Sequence, residues 1–193
     1  LVMRYLVVTP TEREYRNMSA AIEGKELKNS YTLVRTGVGK ALSAANTVMA
    51  ILRADGEFDR VAIVGYAASA IGYKRGDIVT PRVARYYDCR IPGDFVPELT
   101  EPYPLIGHDD MSIWTGDSFV DGEMIAAVKA QYGFEAGLFD MESTAVCQAA
   151  ELFDLPVVVV DVPEEGDTEH SYDEFVDSHS DFGAFVEYLE ELR

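Results

Sequence analysis

The sequence predicts an α/β fold, a three-layer αβα domain on a mostly parallel sheet with helices on both faces. Short apolar, β-branched runs of strand length alternate with longer helical patterns through the first half of the chain. Three strands in succession run into turns rich in small residues. Residues 156–162 (PVVVVDV) form a near-continuous apolar run, the pattern of a strand buried on both faces.

In chain order, residues 3–9 (MRYLVVT) form the first strand. Thr9-Pro10-Thr11-Glu12 then offers an N-cap, a proline at the first helical position and a glutamate three residues after the cap, the signature of a capping box. That gives Glu12 a structural task. Glu14 instead falls at i, i+4, i+8 with Met18 and Ile22, on the face that meets the core. A second strand, 31–35, leads into Thr36-Gly37-Val38-Gly39-Lys40 and an Ala-rich helix to about Arg53. Glycines at a strand-to-helix turn either cradle an anion or make a tight turn, and the full Walker or dinucleotide pattern is not present.

The next strand, 60–64, is followed by Gly65-Tyr66-Ala67-Ala68-Ser69-Ala70, small residues that let a backbone come close to a ligand. Gly76-Asp77 opens a strand at 78–84. Residues 86–113, carrying Pro92, Pro97, Pro102 and Pro104, read as a long irregular connection, a lid or a subunit contact. Order resumes at Trp114 and leads to a helix ending at Tyr132 before Gly133. A short apolar run, 136–139, precedes a helix to about Phe153. After the strand at 156–162 comes an acidic loop, Pro163-Glu164-Glu165-Gly166-Asp167, and Ser171-Tyr172-Asp173-Glu174 reads as a capping box for an amphipathic C-terminal helix.

A chain of 193 residues with 48% hydrophobic content supports one core, so residues 1–193 are read as a single domain. The 34 acidic residues outnumber the 16 basic ones, for a formal charge of -18, which disfavours nucleic acid or an anionic membrane as partner. Two cysteines, Cys89 and Cys147, make no disulfide framework, and a reducing, cytoplasmic setting is expected. No apolar run reaches membrane-spanning length, and no basic, hydrophobic leader precedes the first strand.

The chemistry centres on Phe139-Asp140-Met141-Glu142-Ser143-Thr144-Ala145, where a strand ends in two carboxylates and a helix begins. Glu142 shares a helical face with Ala145, Val146 and Ala149, a poor place for an idle charge, although a first-turn Glu also complements a helix dipole. Glu14, Glu142 and the acids at 164, 165 and 167 all follow strands, and in open α/β sheets ligands bind at that edge. No nucleophilic Ser or Cys lies in a Gly-x-Ser-x-Gly turn. His108, His170 and His179 lack ligand spacing, so neither a metal nor another cofactor is expected. Separated carboxylates suit a cationic, oxocarbenium-like transition state, one activating water while others hold hydroxyls or supply a proton.

The chain resembles the purine nucleoside phosphorylase/nucleosidase superfamily, and within it the methylthioadenosine/S-adenosylhomocysteine nucleosidases and futalosine hydrolases. The matching stretches are Thr36-Gly37-Val38-Gly39-Lys40, Gly76-Asp77-Ile78-Val79 with Ala84-Arg85-Tyr86, Thr115-Gly116-Asp117-Ser118-Phe119-Val120-Asp121-Gly122, and Asp140-Met141-Glu142-Ser143-Thr144-Ala145, in the family's order. The resemblance implies a nucleoside phosphorylase-like fold, a central mixed, partly barrel-like sheet flanked by helices, in a homodimer. It implies a purine nucleoside substrate and no cofactor. Glu14 would polarise water, Glu142 would bind the ribose hydroxyls beside Met141, Phe119 would stack on the purine, and the backbone of Val120 would meet the base edge. Gly65, Tyr66 and Ala67 would line the floor.

Three departures set this chain apart from the family pattern. The gapless register from Pro156 puts Glu164-Glu165 where the nucleosidases carry Ser-Asp, making Glu165 the proton-donor candidate, with Glu164 and Asp167 as alternatives, and puts Asp161 where relatives have Arg. The connection after Asp88 is shorter than the family's, and bulky Tyr66 interrupts the usual small-residue floor. Ile63 stands where phosphorylases place a phosphate-binding Arg, and Tyr66 replaces their Ser, so hydrolysis is expected. A phosphorolytic enzyme and a catalytically impaired nucleoside sensor are the alternatives.

Overall fold

The computed structural model describes residues 1–70, 77–92, 95–164 and 169–193. β1 (Arg4–Thr9) and β2 (Ser30–Arg35) run parallel, connected by α1 (Glu12–Ile22). α2 (Lys40–Arg53) returns the chain to β3 (Arg60–Ser69), parallel to β1 on its other side. Then come β4 (Pro81–Tyr86), α3 (Pro97–Thr100), β5 (Tyr103–Pro104), β6 (Asp109–Thr115) and α4 (Gly122–Tyr132). β7 (Gly137–Asp140), α5 (Ser143–Glu151), β8 (Val157–Glu164), α6 (Glu169–Ser178) and α7 (Gly183–Glu191) complete the chain.

The strands form a mixed sheet in the order β2-β1-β3-β7-β6-β4-β5, with β8 also beside β3. β3 is the branch point. Its first residues pair with β1, Val61 to Ala68 pair with β8, and Ala68 and Ser69 pair antiparallel with β7. A bridge between Val79 and Asp161 ties β8 to the segment entering β4. The β3-β7-β6-β4 path is thereby brought round towards β8, and the sheet is partly closed like a barrel.

Helices cover both faces, as the apolar periodicity predicts. On one side Ile51 of α2 and Val146 of α5 pack with Val157 and Val159; on the other Met18 of α1, Phe175 of α6 and Phe185 of α7 pack with Val158 and Val160. Successive β8 residues therefore enter opposite cores, which is why its sequence is a continuous apolar run rather than an alternation.

Several boundaries differ from the sequence reading. β3 continues through Gly65 to Ser69 because β8 pairs with it as far as Ala68 and β7 takes Ala68 and Ser69, so this stretch is strand and not loop. The irregular connection ends in the first residues of β6, whose acidic start at Asp109-Asp110 hides alternating, buried Met111 and Ile113, the latter paired with β4 and β7. α6 begins at Glu169, placing Ser171 within the helix instead of at its cap, and the C-terminal segment is two helices, not one. The capping box of α1 is Thr11 with Glu14, not Thr9 with Glu12. Thr9 is still in the sheet and donates its hydroxyl to the Val34 carbonyl (3.0 Å), while Glu12 faces outward to Arg16 and Arg35.

Candidate active site

A cavity of about 210 Å³ opens at the C-terminal ends of β1, β7 and β8. Glu14, Glu142 and Glu164 reach its wall together with Tyr66, Phe119, Val120 and Met141. All three glutamates are nearly inaccessible, at 5%, 7% and 1% exposure. Of the nine residues expected from the sequence, six line this space. Gly65 stands behind Glu14, whose carboxylate fills the position of its missing side chain, and Ala67 turns into the core on the face of β3 opposite Tyr66. Glu165 and Asp167 lie outside the described residues.

Glu14 is held by the start of its own helix. The Thr11 N–H (2.9 Å) and hydroxyl (2.7 Å) both donate to Oε2, and the Tyr66 backbone adds a further hydrogen bond. One side chain therefore serves as both cap and site group, with an orientation fixed by backbone. Burial pushes its pKa up to about 7, against the lowering effect of the Thr11 and Tyr66 hydrogen bonds. A carboxyl poised near neutrality suits general-base work. Because Gly65 leaves only enough room for that carboxylate, Gly65→Ala should cost about 1–3 kcal/mol of stability through overpacking, read by urea denaturation.

Glu142 does not complement the helix dipole of α5; Asp140 takes that part. Asp140 accepts from the Ser143 N–H (2.8 Å) and from the Thr115 hydroxyl (2.6 Å), which itself accepts from the Thr144 N–H and hydroxyl. Glu142, at the N-cap with φ −134° and ψ −40°, makes no side-chain cap bond. Its carboxylate extends sideways to accept from the N–H groups of Gly39 (3.1 Å) and Met141 (3.3 Å). Burial first, then repulsion from Asp140, raises its pKa to about 8. Burial likewise raises Asp140, and holds Asp161 well above the ordinary carboxylate range, with Asp140, Glu14 and Glu142 adding repulsion.

The glycine turn after β2 is an anion cradle filled from within the chain. Gly39 N–H serves Glu142, and Lys40 N–H donates to Asp117 (2.9 Å). Tyr66 keeps its ring at the cavity while its hydroxyl donates to the His179 carbonyl (2.6 Å), away from the ligand space. Sequence reasoning missed Tyr172 of α6, which lines the cavity and meets both Phe119 and Tyr66 edge-on, with centroids 5.6 and 6.4 Å apart. Its only sequence signal was an aromatic following a strand's acidic end. Among the described residues no three His, Cys, Asp or Glu side chains are grouped to hold a metal ion.

A partly closed mixed sheet flanked by helices, with buried carboxylates converging on an aromatic-walled cavity, is a nucleoside phosphorylase-like α/β fold. The chain belongs to the phosphorylase superfamily, whose family model it matches over residues 4–188. Among curated relatives it is similar to a 5′-methylthioadenosine/S-adenosylhomocysteine nucleosidase of Haemophilus influenzae, 29% identical over 190 residues, covering 86% of this chain and 80% of that protein. Among solved structures it resembles the 5′-methylthioadenosine/S-adenosylhomocysteine nucleosidase of Neisseria meningitidis bound to methylthio-immucillin-A, with TM-score 0.82 and 20% identity over 99% of this chain and 100% of that one. A futalosine hydrolase of Helicobacter pylori shares the fold at TM-score 0.80 and 17% identity, over 97% of each chain.

Proposed function

We propose that the protein hydrolyses the N-glycosidic bond of a purine nucleoside of the methylthioadenosine, S-adenosylhomocysteine or futalosine kind. The observation that carries this reading is the pair Glu14 and Glu142, two buried, backbone-held carboxylates in one cavity with Phe119. The C1′–N9 bond breaks with its electron pair moving to the base, while a proton delivered to N7 neutralises the leaving group. Water adds to C1′ and gives its proton to Glu14. Glu142 holds the ribose hydroxyls beside Met141, and fixed carboxylates stabilise the ribosyl cation without reorganising. Phe119 stacks on the base, whose edge meets the Val120 backbone.

The proton comes from the acidic end of β8. The burial of Glu164 in the cavity wall supports it as a donor candidate beside Glu165, the residue favoured by register, and Asp167. Glu164→Gln and Glu165→Gln assign the role between them, the donor being the one whose loss lowers turnover more.

Water, not phosphate, is the nucleophile. Phosphate needs cationic groups and free donors. Here Ile63 is buried in the core, the Gly39 and Lys40 N–H groups serve carboxylates, and Lys40 Nζ is held by Asp88 (2.9 Å to each oxygen). A nucleoside panel assayed by chromatography should give free base and free pentose at the same rate with and without phosphate. Strict phosphate dependence would establish phosphorolysis instead, and tight binding without base release would establish a sensor.

The same reading takes residues 1–193 as one domain acting in the cytoplasm as a homodimer. Leu42, Met49 and Leu52 form a half-exposed apolar stripe on α2, near Val38 at the cavity, and support a subunit contact there. Light scattering on the eluting protein tests it, with twice the 21.4 kDa chain mass expected.

A further inference from the structure

We propose that Lys40 and Asp88 form a latch that fixes two cavity-lining loops relative to each other, making both positioning residues for nucleoside binding. The inference rests on the nucleosidase reading for its functional consequence, but the latch itself is a matter of geometry.

Three segments distant in sequence meet at this point: the first residue of α2, the turn after β4 and the turn after β6. Lys40 Nζ donates to both carboxylate oxygens of Asp88, at 2.9 Å each, and lies 3.8 Å from Asp117 Oδ2. Asp88 Oδ2 also accepts from the Asp117 N–H (3.0 Å), and Asp117 Oδ1 accepts from the Lys40 N–H (2.9 Å). The hydrogen bonds thus close a cycle through Lys40, Asp88 and Asp117. The Lys40 ammonium also stands over the Tyr86 ring, 5.0 Å from its centre. Tyr87, next to Asp88, donates its hydroxyl to the Ser118 carbonyl (3.1 Å), adding a tie between the same two turns.

This cycle borders the cavity on two sides. Immediately before Lys40, Val38 lines the cavity and the Gly39 N–H holds Glu142. Immediately after Asp117, Ser118, Phe119 and Val120 line it. The Lys40 and Asp88 side chains are only 24% and 26% exposed. An exposed ion pair contributes little, but a pair largely removed from water, with charge-assisted hydrogen bonds in a closed network, holds its geometry firmly. Without the ammonium, Asp88 and Asp117 would face each other unneutralised, and repulsion would part the two turns. Glu142 would lose its Gly39 donor, and Phe119, itself 53% exposed, would lose the support of its loop.

The test compares Lys40→Met, Asp88→Asn, their double mutant and Lys40→Arg. Amide hydrogen exchange without ligand should accelerate at both 36–40 and 116–120, by about tenfold, in Lys40→Met. KM for the nucleoside should rise about tenfold with kcat within about threefold. Lys40→Arg should retain near-normal values, since a guanidinium can span the same carboxylates. The double mutant should be no worse than either single one. Faster exchange confined to 36–40, an unchanged KM, or additive single effects would overturn the latch. If the wild-type protein releases no base, the nucleosidase reading fails, while the exchange measurement still decides the latch.

Discussion

Glu14→Gln is expected to lower kcat for nucleoside hydrolysis by about 10²–10⁴-fold, the range of a lost general base. Binding of the nucleoside should stay within about threefold, because the lost interaction acts on the attacking water and not on the bound ground state. The substitution is a clean one for a structural reason. Glu14 is the third residue of α1 and closes its capping box, and glutamine serves in that position as well as glutamate, so the Thr11 contacts and the helix start persist. Circular dichroism and calorimetry should find the fold retained. A variant that folds, binds and turns over normally would remove Glu14 from the chemistry and leave it only its capping role.

Glu142→Gln is expected to reduce kcat/KM by about 10²-fold, through loss of a charge-assisted hydrogen bond to the ribose and of negative charge near the ribosyl cation. It should also stabilise the free protein at high pH. The native pKa of Glu142 is raised to about 8 against an ordinary value of 4.5, so between those values the folded state holds a proton that the unfolded state has released. Stability from this group is therefore fully present below about pH 4.5 and is lost as the pH rises through 8. Glutamine mimics the protonated form, and its gain should approach about 5 kcal/mol at pH 9 and shrink below about 1 kcal/mol near pH 5. Glu14, raised to about 7, adds to the same trend. In the wild-type enzyme kcat/KM should accordingly climb from pH 6 to 8 while thermal stability declines. A stability curve for Glu142→Gln that parallels wild type at every pH would contradict this assignment.

The sequence disclosed the site more readily through misplaced residues than through element boundaries. Glu142 was legible because a carboxylate at the head of an apolar helix face needs a partner. Its partner, the Gly39 N–H, is 103 positions away and invisible to any local pattern. Glu14 was legible by the same argument, but its capping task was assigned to Glu12. Thr9-Pro10-Thr11 offers two overlapping boxes, and the choice depends on how far β1 extends, which pairing with β2 decides. The strand character of Gly65 to Ser69 and of Asp109 to Thr115 was hidden for a related reason. Small or acidic residues have weak strand propensity, and neighbouring strands supply what the local sequence lacks. Tyr172 enters the cavity only because α6 packs back over β3, a tertiary event. β8, buried on both faces, was legible as far as Val162, but Pro163 and Glu164 are strand and not loop because they pair with Ala67 and Ala68 of β3.

Water attack at C1′ is the claim on which the rest depends, and isotope labelling tests it directly. With a methylthioadenosine-type nucleoside in ¹⁸O-enriched water, the account predicts free base and a pentose carrying one ¹⁸O at C1, at a rate indifferent to added phosphate. A pentose 1-phosphate formed only when phosphate is present, or no cleavage of the bound nucleoside, would contradict it.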